Sequence, residues 1–237
     1  MIEAIVLAGG EGRRLRAVVS DVPKPMAEIA GRPFLWWLMT RLNQQGIARV
    51  ILSVGYKADV IQDYFGNKFG GTDIVYSVED EPLGTGGAIR LALEHATQPS
   101  VIVMNGDTYT DLELRELSGA RESSGADIAM AVTHLDDMSR YGAVVIDDAT
   151  SRVAGFDEKR GSAAGYINAG TYCLLRNLFL KYPVPVKFSF ERDFLPRELT
   201  VLNPVAFTSV RGFIDIGVPE DYALAQTVIP KLAGGQS

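Results

Sequence analysis

Two short stretches near the start of the chain carry groups suited to holding phosphate. Leu7-Ala8-Gly9-Gly10-Glu11-Gly12-Arg13-Arg14-Leu15-Arg16 puts three glycines and then arginines directly after an apolar run. Glycine lets backbone N–H groups come close to phosphate oxygens, and a guanidinium group binds phosphate in bidentate fashion. Asp21-Val22-Pro23-Lys24-Pro25-Met26 comes next. Prolines on both sides fix the backbone around Lys24, which predicts a positioned lysine in place of a mobile surface one. The first stretch is not a P-loop, because the Gly-Lys-Ser/Thr ending is missing. It is not the dinucleotide fingerprint either, because Leu15 stands at the third glycine position. A glycine-rich turn alone, or a lysine alone, would mean little; together they point to a bound polyanion.

Carboxylates supply the other chemistry. Asn105-Gly106-Asp107 ends a hydrophobic run, and Asp215 lies between Phe213-Ile214 and Ile216. A carboxylate in apolar surroundings needs a partner such as a cation. Two carboxylates plus phosphate oxygens form a suitable shell for Mg²⁺. One aspartate at a strand end can equally cap the following turn. Glu79-Asp80-Glu81-Pro82-Leu83-Gly84-Thr85-Gly86-Gly87-Ala88 is rich in carboxylates and glycines and opens a helix. Its backbone groups could read a base edge, and a carboxylate could accept from the N1–H and N2–H₂ of guanine. The plain alternative is a solvated helix N-terminus, where acidic residues are favoured anyway.

The elements that must position these groups alternate. Residues 3–8, 49–55, 73–78 and 100–105 read as strands, and 34–42, 58–65 and 86–96 as helices. Short connections between them predict an α/β fold, Rossmann-like, with a mostly parallel central sheet flanked by helices. Ligands of such sheets bind beyond the carboxyl ends of the strands. Gly9-Gly10, Gly55, residues 79–87 and Gly106-Asp107 all fall there. After about residue 125 the pattern changes to strands over 127–132, 142–147, 153–156 and 166–175, with few helices between. The expectation is one domain, residues 1–237, with a nucleotide-binding lobe over 1–125 and an α+β lobe over 126–237.

Composition narrows the partners. With 47% hydrophobic and 22% charged residues, the 237-residue chain is ordinary for a globular protein. No apolar run approaches the ~20 residues that span a bilayer. The N-terminus lacks the basic region and cleavage pattern of a signal peptide. The expectation is a cytoplasmic protein without membrane contact. A net charge of −6 argues against nucleic acid. Yet within residues 1–50, Arg13, Arg14, Arg16, Lys24, Arg32, Arg41 and Arg49 outnumber Glu3, Glu11, Asp21 and Glu28. A locally basic segment in an acidic chain suits a small polyanion. Cys173, within Tyr172-Cys173-Leu174-Leu175, reads as a buried structural thiol. With only His95 and His134 beside it, no Cys/His zinc site can form.

The motifs continue in order along nearly the whole chain. After residues 7–15 and 23–26 come Glu81-Pro82-Leu83-Gly84-Thr85-Gly86-Gly87-Ala88, Asn105-Gly106-Asp107, Phe156-Asp157-Glu158-Lys159, Ile167-Asn168-Ala169-Gly170-Thr171-Tyr172 and Phe213-Ile214-Asp215-Ile216-Gly217-Val218-Pro219-Glu220-Asp221-Tyr222. This ordered set resembles the signature of the sugar-1-phosphate nucleotidyltransferases, also called NDP-sugar pyrophosphorylases. The resemblance implies a transferase that joins a nucleoside monophosphate to a sugar 1-phosphate and releases pyrophosphate, with Mg²⁺ as cofactor. It assigns Leu7, Ala8, Gly9, Gly10, Gly12, Arg13, Glu79, Glu81, Gly84, Thr85 and Gly86 to the nucleotide. Arg14 would hold its phosphates, Lys24 would neutralise charge at the reacting phosphate, and Asp107 and Asp215 would hold the metal. Lys159 would bind the phosphate of the sugar, with Tyr141, Gly142, Glu158, Asn168, Gly170 and Glu191 on the sugar side. Arg13 stands where many relatives have threonine, and Ala17-Val18-Val19-Ser20 replaces the family's Pro-x-Thr. Many relatives are oligomers, so a homo-oligomer is left open.

Within the family, residues 16–19, the Tyr141-Gly142 pair and residues 189–195 most resemble the D-glycero-α-D-manno-heptose 1-phosphate guanylyltransferases. These use GTP and make GDP-heptose for bacterial capsule or lipopolysaccharide. The runners-up are a mannose-1-phosphate guanylyltransferase and a short uridylyltransferase of the N-acetylmuramate 1-phosphate type. A glycosyltransferase would carry Asp-x-Asp at the strand end, where this chain has Asp107-Thr108-Tyr109. A non-catalytic sensor would be expected to lose Lys24 or one of the metal aspartates, and this chain keeps all three.

Overall fold

The computed structural model describes residues 2–10, 22–157 and 164–234. Gly12, Arg13, Arg14, Glu158 and Lys159 lie outside the described residues.

The first half alternates as expected. Strand β1 (Glu3–Leu7) leads to a hairpin of β2 (Glu28–Ile29) and β3 (Arg32–Pro33). Then come α1 (Phe34–Gln44), β4 (Arg49–Val54), α2 (Ala58–Phe65), β5 (Lys68–Phe69), β6 (Thr72–Val78), α3 (Gly84–Leu93) and β7 (Ser100–Asn105). The second half holds β8 (Thr108–Asp111), α4 (Leu114–Ser124), β9 (Ile128–Leu135), β10 (Ala143–Asp147), β11 (Arg152–Asp157), β12 (Gly165–Leu175), α5 (Leu178–Lys181), α6 (Leu195–Leu202), β13 (Val205–Phe207), β14 (Gly212–Asp215) and α7 (Pro219–Gly234). Among the described residues ten strands form one sheet, in the order β10-β11-β13-β9-β12-β7-β1-β4-β6-β5.

Parallel pairing joins β7, β1, β4 and β6, and separately β9 with β13. The other pairs, including β12 against both β7 and β9, are antiparallel. The sheet is therefore mixed, and it runs unbroken through both halves of the chain.

The inner strands are apolar on both faces, as parallel strands covered by helices must be. Side chains alternate between the faces. Ala4, Val6, Val50, Leu52, Ile102 and Met104 join one core with Phe34, Leu38 and Leu42 of α1 and Ile229 of α7. Ile5, Ile51, Val101 and Val103 join the other, with Ile89 and Leu93 of α3 and Phe190, Phe194 and Leu195. Cys173 is fully buried, and burial pushes its thiol up. No helix among the described residues is long and apolar enough to cross a membrane.

Helix α3 begins two residues before the expected start and ends short of Ala96. Past Leu93 the chain tightens: the N–H groups of Glu94, His95 and Ala96 bond the carbonyls three residues back, of Leu91, Ala92 and Leu93. Such tightening satisfies carbonyls at a helix end.

Glu3 anchors the turn between this helix end and β7. Its carboxylate accepts from the Thr97 N–H at 2.7 Å, the Thr97 hydroxyl at 2.6 Å and the Gln98 N–H at 3.1 Å, with Arg49 Nε at 3.7 Å. Burial pushes this carboxyl up, but the hydroxyl, the two N–H groups and Arg49 together outweigh it and hold it below the ordinary value of 4.5. A lowered acid pKa stabilises the fold above the unfolded value, and that stabilisation is lost as pH falls through the folded one. Glu3→Gln should therefore lower Tm at pH 7 by about 3–10 °C, from the loss of about 1.5–3 kcal/mol in charged hydrogen bonding. Thermal melts should show the gap to wild type narrowing below pH 4.5. A gap that is constant with pH would mean the charge does nothing.

Candidate active site

The carboxyl ends of β1, β4 and β7 lie level, with Leu7 beside both Ser53 and Asn105. The loops leaving them are stitched together. Gly106 N–H bonds the Leu7 carbonyl at 2.9 Å, Ala8 N–H the Ser53 carbonyl at 2.7 Å, and Glu79 N–H the Val54 carbonyl at 2.8 Å. Above them opens a cavity of about 650 Å³ lined by Leu7, Gly9, Gly10, Lys24, Gly55, Tyr56, residues 79–82, Gly84, Thr85, Asn105 and Asp107, among others. Ala8, also expected at the nucleotide, is fully buried.

Lys24 opens a single 3-10 turn, Lys24–Met26, held between its two prolines by the Met26 N–H on the Pro23 carbonyl at 2.7 Å. The result is a lysine only 9% exposed. Its ammonium donates to Asp107 Oδ2 at 2.6 Å and lies 3.5 Å from Asp215 Oδ1. Asp107 follows the end of β7. Asp215 reaches it because β14 pairs antiparallel with β8, with Asp215 opposite Thr108, and the Ile216 N–H bonds the Asp107 carbonyl at 3.0 Å. Burial, and then the charge of Asp107, push the Asp215 carboxyl up; Lys24 and the Gly217 N–H at 2.7 Å pull it part of the way back.

This pair suits a hard divalent cation. Both donors are carboxylate oxygens, and a positive group already bonds them both. Among the described residues no group of three or more His, Cys, Asp or Glu is placed to hold a metal. Mg²⁺ typically takes one or two carboxylates and fills its octahedron with water and substrate phosphate.

The loop over residues 79–87 divides its labour. Glu79 turns inward: it accepts from the Leu83 N–H at 3.0 Å and the Ser53 hydroxyl at 3.3 Å, and burial pushes its carboxyl up despite both. Asp80 and Glu81 stay exposed on the cavity wall. The glycines face a different neighbour. A side chain on Gly84, where φ is +74°, would put its Cβ 2.5 Å from the Phe188 carbonyl oxygen, and one on Gly86 would overlap the Phe188 ring. The N–H groups of Gly86 and Gly87 bond that same carbonyl at 3.0 and 3.4 Å. Gly86 is thus buried against residues 186–188 and does not line the cavity.

A second cavity of about 410 Å³ adjoins the first across Thr85 and Asn105, which line both. It gathers Tyr141, Gly142, Asn168, Gly170 and Glu191 with Asp215. It also gathers residues that the sequence alone did not single out: Thr108, Arg192 and Phe213. Tyr56 and Asn105 are such additions in the first cavity. Asn105 had a signal, its place at a strand end beside Gly106-Asp107. Phe213 and Arg192 had only their nearness in sequence to Asp215 and Glu191.

Comparison with known proteins identifies the family. The family described as nucleotidyl transferase matches residues 3–231. A D-glycero-alpha-D-manno-heptose 1-phosphate guanylyltransferase of Aneurinibacillus thermoaerophilus is 46% identical, with 95% of this chain and 97% of the relative covered. One from Campylobacter jejuni is 43% identical, with 93% and 97% covered. The crystal structure of HddC from Yersinia pseudotuberculosis complexed with GMP-PN superposes with a TM-score of 0.84 at 41% identity, covering 95% of this chain and 98% of the other. On sequence, fold and the order of its motifs, the chain belongs to the nucleotidyl transferase family.

Proposed function

We propose that this enzyme transfers GMP from GTP to D-glycero-α-D-manno-heptose 1-phosphate, giving GDP-heptose and pyrophosphate in the cytoplasm. The reading rests above all on the Lys24–Asp107–Asp215 cluster at the junction of two cavities, Asp107 lining the first and Asp215 the second. A lysine and two carboxylates able to hold a divalent cation, set between two binding spaces, suit a reaction that joins two anions. The heptosyl and guanylyl choices rest on the relatives named above.

In this reading the nucleotide fills the larger cavity. Glu81, exposed on the cavity wall, accepts from the two donors on the guanine edge, while Glu79 ties the loop to Ser53 and Leu83. Arg14 holds the phosphates. The sugar 1-phosphate fills the smaller cavity against Asn168, Gly170 and Glu191, with Lys159 on its phosphate. A phosphate oxygen of the sugar attacks the α-phosphorus of GTP in line, a new P–O bond forms, and the bond to pyrophosphate breaks. No covalent enzyme intermediate is required, so catalysis is positioning and charge neutralisation. Lys24 neutralises the charge that builds at the α-phosphate. Mg²⁺ held by Asp107 and Asp215 would supply Lewis-acid stabilisation of the same phosphate.

Pyrophosphate release, measured with each of four nucleoside triphosphates against a panel of sugar 1-phosphates, should be fastest with GTP and the heptose. A site built to bond the guanine donors rejects a base that lacks them. Comparable kcat/KM for UTP would overturn the base assignment. A much higher kcat/KM for mannose 1-phosphate would move the sugar assignment to mannose.

Lys24→Ala should lower kcat about 10²–10³-fold, the typical loss of one stabiliser of transition-state charge. A change confined to KM would remove Lys24 from the chemical step. Asp107→Ala and Asp215→Ala should each abolish turnover in a folded protein, and EDTA should do the same to wild type. Full activity in EDTA would end the metal assignment.

A further inference from the structure

Thr85 lies in the loop assigned to the nucleotide, yet its hydroxyl is engaged elsewhere. It donates to Glu191 Oε2 at 2.5 Å and accepts from the Phe190 N–H at 2.9 Å. Ser189 Oγ donates to the same Glu191 oxygen at 3.3 Å. The other oxygen, Oε1, accepts from the Tyr172 hydroxyl at 3.4 Å, and that hydroxyl accepts from Asn168 Nδ2 at 2.6 Å. Asn168 Oδ1 in turn accepts from the Gly170 N–H at 2.9 Å. Tyr172 is fully buried. One hydrogen-bonded chain thus joins α3, the π-helical turn Phe190–Phe194 that precedes α6, and β12.

A carboxylate offers about four lone-pair sites. Among the described residues two donors fill those of Oε2 and one occupies Oε1, which leaves Glu191 one acceptor site on the wall of the second cavity. Its direction is set by Thr85 from one side and Tyr172 from the other. We propose that Thr85 and Tyr172 are positioning residues for the sugar, acting through Glu191 to aim that one acceptor at a sugar hydroxyl. Thr85 lines both cavities, so the same bond fixes where the sugar sits relative to the nucleotide. The proposal rests on the second cavity being the sugar 1-phosphate site.

The test is steady-state kinetics with calorimetric GTP binding as a check of folding. Thr85→Val keeps the side-chain shape and removes the hydroxyl. It should raise KM for the sugar 1-phosphate about tenfold or more, as loss of a hydrogen bond to a charged group does, and leave KM for GTP within about twofold. Thr85→Ser should restore the wild-type value. Tyr172→Phe should raise the same KM, and the double variant should fall short of the product of the two effects, because both act on one carboxylate. A sugar KM unchanged in both single variants overturns the proposal. So does a rise in KM for GTP as large as that for the sugar, which would return the Thr85 hydroxyl to the nucleotide. If Thr85→Val does not fold, Tyr172→Phe decides alone. A wild-type enzyme with no saturable dependence on any sugar 1-phosphate overturns the proposed function as well, whereas failure confined to the variants overturns only the positioning role.

Discussion

The ammonium of Lys24 bonds two aspartates that are 83 and 191 residues away from it in the chain. Two carboxylates held side by side and partly out of water repel each other. One cation between them offsets part of that repulsion. Meeting that condition demands three devices at once. The proline-flanked turn must bring Lys24 in, β7 must end just before Asp107, and the ribbon of β14 on β8 must return Asp215 to the same place. Each device draws on a different part of the chain, and the sheet gives them a common floor.

That floor explains why the two cavities adjoin. Strand β12 pairs antiparallel with β7, so the parallel half and the antiparallel half share an edge with no gap between them. The nucleotide-side loops leave the carboxyl end of the parallel strands, and Asn168 and Gly170 lie on β12, two strands from β1. Residues 186–191, which come after β12, fold back over the start of α3 through Phe188 and bring Glu191 to the wall of the second cavity.

What was legible in the sequence was local. The periods of β1, β4, β6 and β7 and of α1 and α2 were readable because an apolar run between turn residues has few alternatives. The prolines around Lys24 announced its fixed backbone, and the apolar neighbours of Asp215 announced its need for a cation. Partnership was not legible. Nothing in residues 212–215 names β8 as their mate, because strand pairing is a tertiary choice. The same limit applies to Gly84 and Gly86. Glycine-rich spacing suggested a close approach to nucleotide, but for Gly86 the approaching group is Phe188, about a hundred residues later. The inward turn of Glu79 was likewise hidden, since it depends on Ser53 and Leu83 offering donors. Family resemblance supplied the base and the sugar, which residue chemistry alone left open.

The packing of Gly84 and Gly86 on Phe188 has a consequence for how such an enzyme could change its substrate. These glycines are locked against Phe188, Gly84 by its carbonyl and Gly86 by its ring, with no room for an added carbon. Asp80, Glu81 and Pro82 project from the same loop into the cavity without that constraint. With the nucleotide in this cavity, as proposed, base preference is free to drift by replacing side chains at 80–82 while the loop's path stays fixed. A laboratory library aimed at a new nucleotide has a rational address in those three positions, and its variants should keep their fold.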